Sequence, residues 1–121
     1  MGITALVVDD NKDVQKVFVE LLQFNGITVI GTGSNGKEAS ELYKKLEPDI
    51  VFIDAIMPKY NGFYGLEKIR EYDPESVVVL VTGSINVETE LDNCNATAIL
   101  PKPINMDKIM SVVNKFCVPQ P

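Results

Sequence analysis

Four short stretches of the chain end in residues that could do chemistry together. Asp9 and Asp10 stand side by side after an apolar run, Asp54 closes another, and Thr82-Gly83 closes a third. Lys102 follows a fourth, held between Pro101 and Pro103. Three carboxylates brought to one place repel one another severely unless a cation joins them. An all-oxygen, acid-rich pocket with room for water suits Mg²⁺ or Mn²⁺. Thr82 adds a hydroxyl donor, Gly83 a backbone N–H unshielded by a side chain, and Lys102 an ammonium. A single ammonium facing three acids is a charge arrangement that fits a phosphoryl group.

Taken singly, each residue has a plainer role. Asp9 or Asp10 could cap a helix, Asp54 could begin a turn, Thr82 could bond its own backbone, and Lys102 could be a solvated charge. What separates the two readings is whether the fold brings the four places together. Apolar runs rich in Val, Ile and Leu cover residues 3–8, 27–32, 50–53, 77–82 and 96–100, and all are too short for helices. The first, third and fourth are apolar almost throughout, as strands covered on both faces must be.

Helical periods lie between them. Val14, Val17, Phe18, Leu21 and Leu22 form one stripe, Ala39, Leu42, Tyr43 and Leu46 a second, and Met106, Ile109, Met110, Val113 and Phe116 a last. All three read as core faces. Gly26 stops the first helix, Pro48 and Pro74 close the second and third, and Asn35 with Glu38 resembles a capping box. Five strands alternating with five helices specify an α/β fold with a parallel sheet. At this length the flavodoxin-like (βα)5 sandwich, strand order 2-1-3-4-5, is the expected topology. Its site lies at the carboxyl ends of the strands, where the four stretches end.

Composition narrows the function. The chain has 121 residues, 45% apolar and 23% charged, which fits one globular domain. Its net charge of −6, with scattered lysines, gives no basic patch for direct nucleic-acid binding. Histidine is absent, so His-based triads, His-ligated zinc and a phosphohistidine of its own are excluded. Cys94 and Cys117 lack metal-ligand spacing and fit a reducing compartment. No apolar run approaches the ~20 residues of a membrane span, and the N-terminus has no signal-peptide pattern, so a cytoplasmic protein without membrane insertion is expected.

The pattern Asp9-Asp10, Asp54 followed by Met57-Pro58 and Gly62, Thr82, and Lys102-Pro103 resembles the response-regulator receiver family of two-component signalling, chemotaxis type, over essentially the whole chain. The resemblance implies one receiver domain over 1–121, with 118–121 a short tail or the start of a linker. It makes Asp54 the phosphoacceptor. Asp10, Asp54 and the backbone carbonyl of Ile56 would bind Mg²⁺, with Asp9 acting through water. Thr82 and Lys102 would each hold a phosphoryl oxygen, and the Lys102–Pro103 bond would be cis. The donor would be a histidine kinase or phosphotransfer protein, and the output a downstream protein target or a homodimer. Such a chain is a signalling domain, not an enzyme, beyond its own phosphorylation and autodephosphorylation. Movement of Thr82 towards the phosphoryl group would shift the face formed by the fourth helix, fifth strand and fifth helix.

Two positions and one segment depart from the family pattern. Ile99 stands where a Tyr or Phe usually couples to the threonine, and Ile104 where a Phe often follows Lys-Pro. The segment 84–97 is tight and weakly striped, so a short, irregular or mobile fourth helix is expected. Ile56 beside the acceptor should not position an attacking water, which implies slow autodephosphorylation. Three rival readings fit the residues less well. A haloacid-dehalogenase-type hydrolase wants an acid at Ile56 and a longer chain. A flavodoxin-like cofactor binder wants a Ser/Thr/Gly-rich first loop, whereas Asp9-Asp10-Asn11 would repel a phosphate. A receiver-fold interaction module that is never phosphorylated fits Ile99 but not the retained Asp54, Thr82 and Lys102.

Overall fold

The computed structural model describes residues 2–83 and 95–117. Its elements are β1 (Thr4–Val8), α1 (Lys12–Phe24), β2 (Thr28–Gly33), α2 (Gly36–Leu46), β3 (Ile50–Asp54), α3 (Gly62–Tyr72), β4 (Val78–Thr82), β5 (Ala98–Pro101) and α4 (Met106–Phe116). The fourth helix expected within 84–97 lies outside the described residues apart from the last few of that segment. The five strands form one parallel sheet in the order β2-β1-β3-β4-β5. Strand boundaries agree with the apolar runs to within two residues.

Alternation along the strands divides the core in two. Ala5, Val7, Ile50, Phe52, Val79 and Val81 pack on one side with Phe18 and Leu22 of α1 and Ile109 and Val113 of α4. Leu6, Val8, Val51, Ile53, Val78 and Leu80 pack on the other with Ala39 and Tyr43 of α2 and Leu66 and Ile69 of α3. Successive side chains point to opposite faces. A central strand covered on both sides must therefore be apolar at every position, which is why β1, β3 and β4 read as continuous apolar runs.

Helix starts are set by asparagine. Asn11 caps α1 by accepting from the Asp13 and Val14 amides at 3.0 and 3.1 Å. Asn35, Asn61 and Asn105 do the same for α2, α3 and α4 through the amides of Glu38, Tyr64 and Lys108. Each such cap contributes roughly 1 kcal/mol. In the capping box of α2, Glu38 returns to the amide of Ser34 at 2.9 Å, one residue earlier than the usual form. At the other ends, Gly26 follows α1 with φ +82°, and Pro48 and Pro74 lie just past α2 and α3.

Two of the apolar stripes are wider than the faces they bury. In α1 the buried row is Gln15, Phe18 and Leu22, while Val17 is 52% exposed. Val14, Val17 and Leu21 instead line, with Pro103 and Ile104, an open cleft of about 380 Å³ bounded by Asp13 and Lys102. In α4, Ile109 and Val113 are buried but Phe116 is exposed. A helix lying on a sheet buries a single row, so a stripe spanning half its circumference leaves part of itself outside.

Candidate functional site

The capping of α1 by Asn11 leaves both preceding acids free of that task. Asp9 leaves the end of β1 buried, its Oδ1 accepting from the Asn11 amide at 2.8 Å, and Asp10 beside it is exposed. Asp54 ends the adjacent β3 and is 7% exposed. One carboxylate oxygen from each of Asp9, Asp10 and Asp54 lies within 4.8 Å of the others. Lys102 follows β5 and reaches back over the end of β4. Its Nζ donates to Asp54 Oδ2 at 3.0 Å and approaches Asp9 Oδ2 at 3.5 Å. The Lys102 amide is fixed to the Thr82 carbonyl at 2.9 Å, and the Lys102–Pro103 bond is cis. Thr82, 1% exposed, lies one residue past Val81, the register partner of Asp54.

The loop after β3 folds back on the acceptor. The Ile56 amide donates to Asp54 Oδ1 at 3.1 Å, and the Gly62 amide returns to the Ala55 carbonyl at 3.0 Å. A Cβ on Gly62 would collide with the Asp54 carbonyl oxygen, so the backbones meet there because no side chain intervenes. Ile56 itself stands 64% exposed next to Asp54.

The electrostatics follow from this crowding. Burial pushes the Asp9 carboxyl above its ordinary range, opposed by the Asn11 N–H and the Lys102 charge. Burial alone would lower the Lys102 ammonium, but the hydrogen bond and charge of Asp54, then of Asp9, outweigh it and leave its pKa raised. One ammonium does not balance three acids, and Asp10 makes no hydrogen bond among the described residues. The excess negative charge and the all-oxygen donor set fit a hard divalent cation.

All the expected site residues are thus gathered at one end of the sheet: Asp9, Asp10, Asp54, Thr82 and Lys102, with Ile56 at the rim. A family model for the response regulator receiver domain matches residues 5–114. The chain belongs to the response regulator receiver family. The chemotaxis protein CheY of Thermotoga maritima is 31% identical over 117 residues, covering 95% of this chain and 98% of that protein. CheY of Bacillus subtilis is 29% identical, covering 91% and 93%. Among solved structures, the complex of CheX with CheY, BeF3 and magnesium from Borrelia burgdorferi superposes with a TM-score of 0.86 at 27% identity, over 97% of this chain and 90% of that one. Phosphoryl acceptance in signalling is the standard role of such receivers.

Two features of the site escaped the sequence reading. Gln15, a polar residue in the buried row of α1, bonds the backbone at Asp9 and Gly33. Gly36 lets the start of α2 touch the loop that leaves Asp54. For Gln15 a signal existed: it holds the 15/18/22 spacing with Phe18 and Leu22. For Gly36 there was none, because the contact is between segments distant in sequence.

Proposed function

We propose that this receiver accepts a phosphoryl group on Asp54 from a phosphohistidine of a partner kinase or phosphotransfer protein, and relays it as a change in a protein-binding face. The observation that carries the reading is Lys102, placed 3.0 Å from Asp54 at the mouth of the three-acid cluster. Asp54 is the nucleophile: its Oδ forms the new bond to phosphorus as the donor's P–N bond breaks in line. A carboxylate oxygen attacks phosphorus without first giving up a proton, so no general base is required. Lys102 and the Thr82 hydroxyl each hold a phosphoryl oxygen. Asp10, Asp54 and the Ile56 carbonyl would hold Mg²⁺, or Mn²⁺ in its place, with Asp9 acting through water. When bound, the cation supplies charge neutralisation for the transferred group. The Borrelia CheY complex, with its BeF3 and magnesium, supports this ligand pair. The chain has no histidine, so the phosphoryl group comes from outside these 121 residues.

The same reading makes the chain a single cytoplasmic signalling domain over 1–121, acting on a protein target or as a homodimer. It has no turnover activity beyond its own phosphorylation and dephosphorylation. Among the described residues no helix is long and apolar enough to cross a membrane. Ile99 pairs with Leu80 and packs into the α2–α3 side of the core, so no aromatic ring stands at that position to couple to Thr82.

Intact mass after incubation with acetyl phosphate tests the proposal. One added phosphoryl group is expected with Mg²⁺ present and none after chelation with EDTA. No gain despite demonstrated Mg²⁺ binding would favour a constitutive interaction module.

Ile56 sets the lifetime of the modified state. An exposed alkyl group beside the acyl phosphate offers no hydrogen bond to an attacking water. Ile56→Asn is expected to shorten the phosphoryl half-life about tenfold, the equivalent of one well-placed hydrogen bond. The decay of the phosphorylated mass measures it; a half-life unchanged or lengthened would refute this role.

A further inference from the structure

Gln15 is 8% exposed in a row otherwise filled by Phe18 and Leu22. A primary amide in such a place is costly unless its hydrogens are used. Both are: Nε2 donates to the Asp9 carbonyl at 3.2 Å and to the Gly33 carbonyl at 2.8 Å. The Gly33 carbonyl also accepts from the Asp9 amide at 3.1 Å. The Asp9 amide is thus held by Gly33 directly, and Gln15 ties the Asp9 carbonyl to the same end of β2, just where β1 gives way to the acidic pair.

The consequence falls on Asp10. Its carboxylate is exposed and has no hydrogen bond among the described residues, so its location is set by its backbone. That backbone begins at the peptide whose carbonyl Gln15 holds. Asp9 has a second tether through Asn11, but the peptide plane leading into Asp10 has Gln15.

We propose that Gln15 is a positioning residue for the cation-binding acids, fixing the Asp9–Asp10 peptide so that both carboxylates face Asp54. The inference rests on the reading of Asp9, Asp10 and Asp54 as a divalent-cation site. Groups that orient metal ligands from behind typically contribute 10–100-fold to metal affinity.

The test is Mn²⁺ titration of the whole chain, followed by loss of the free ion's electron paramagnetic resonance signal, with thermal melting in parallel. Gln15→Met keeps the volume and removes both donors, and is expected to weaken Mn²⁺ binding about tenfold or more. Gln15→Asn, too short to reach both carbonyls, should act in the same direction and serves if the Met variant does not fold. Phe18→Leu disturbs the same buried row without touching Asp9, and should lower the melting temperature with Mn²⁺ affinity unchanged. Affinity within about twofold of wild type in a folded Gln15 variant would overturn the inference and leave the site reading intact. Failure of wild type to bind Mn²⁺ at all would remove the site reading, and this inference with it.

Discussion

Asp54→Asn is expected to take up no phosphoryl group under conditions where the wild-type chain takes up one, and to keep its fold. The substitution preserves shape and one acceptor oxygen for the Ile56 amide, but puts an NH2 donor in place of the oxygen that accepts from Lys102 and removes the carboxylate that would bond to phosphorus. An amide is no nucleophile at neutral pH. The loss is therefore complete rather than partial, and intact mass reads it as one group against none. The effect on stability carries equal information. Asp54 is buried among two other acids and one ammonium. Like charges about 4 Å apart repel by roughly 4 kcal/mol at an effective dielectric near 20, and the attraction to Lys102 is of similar size. Removing one acid gives up a single attraction and relieves two repulsions. In metal-free buffer the variant should melt no lower than wild type, and with Mg²⁺ added the wild type should gain more. Uptake retained by Asp54→Asn would place the acceptor elsewhere, with the exposed Asp10 as the first candidate.

Most of the sheet was legible because burial on both faces leaves a strand no polar positions to hide behind. The uninterrupted apolar runs at β1, β3 and β4 located the centre of the fold, and the residues ending them located the site. That Lys102 meets Asp54 could not be seen locally, since they lie 48 positions apart. It followed from topology: β4 lies between their strands, and a lysine is long enough to cross it.

Helix faces were less legible. Apolar spacing marks a residue as unsuited to water but does not say which neighbour will cover it. Val17 satisfies the stripe of α1 and yet faces the cleft beside Pro103 and Ile104. Gln15 breaks the stripe and yet is buried, because two backbone carbonyls at the strand ends accept its amide hydrogens. Both cases reflect the same limit: periodicity reports polarity, whereas burial depends on partners that only the assembled fold supplies. The α2–α3 side shows it again. Tyr43 is buried in the core but turns its hydroxyl to Asp73 at 2.7 Å, and burial together with that carboxylate pushes the phenol's pKa up.

Gly36→Ala should be among the most damaging single substitutions in the chain, although helix propensity alone would favour it by up to about 1 kcal/mol. Gly36 opens α2, and its amide donates to the Tyr60 carbonyl at 2.6 Å. A Cβ there would overlap the Asn61 carbonyl oxygen and stand 2.9 Å from the Gly65 amide and 3.1 Å from the Tyr60 carbonyl. All three obstacles are backbone atoms, so no side chain can swing aside to make room. Relief requires α2 to lift from the loop that joins Asp54 to α3. Overpacking of this kind costs about 3 kcal/mol at the upper end of its usual range. For a domain of this size that is roughly a 10 °C fall in melting temperature. Gly83→Ala is the control: a Cβ there meets nothing within 4 Å among the described residues, and the change should stay within about 0.5 kcal/mol. The sign decides between the two influences. A Gly36→Ala variant that melts at or above wild type would mean that helix propensity prevails and that α2 does not clamp the acceptor loop. A large loss would mean that the loop carrying Ile56 is held in place by backbone contact with α2.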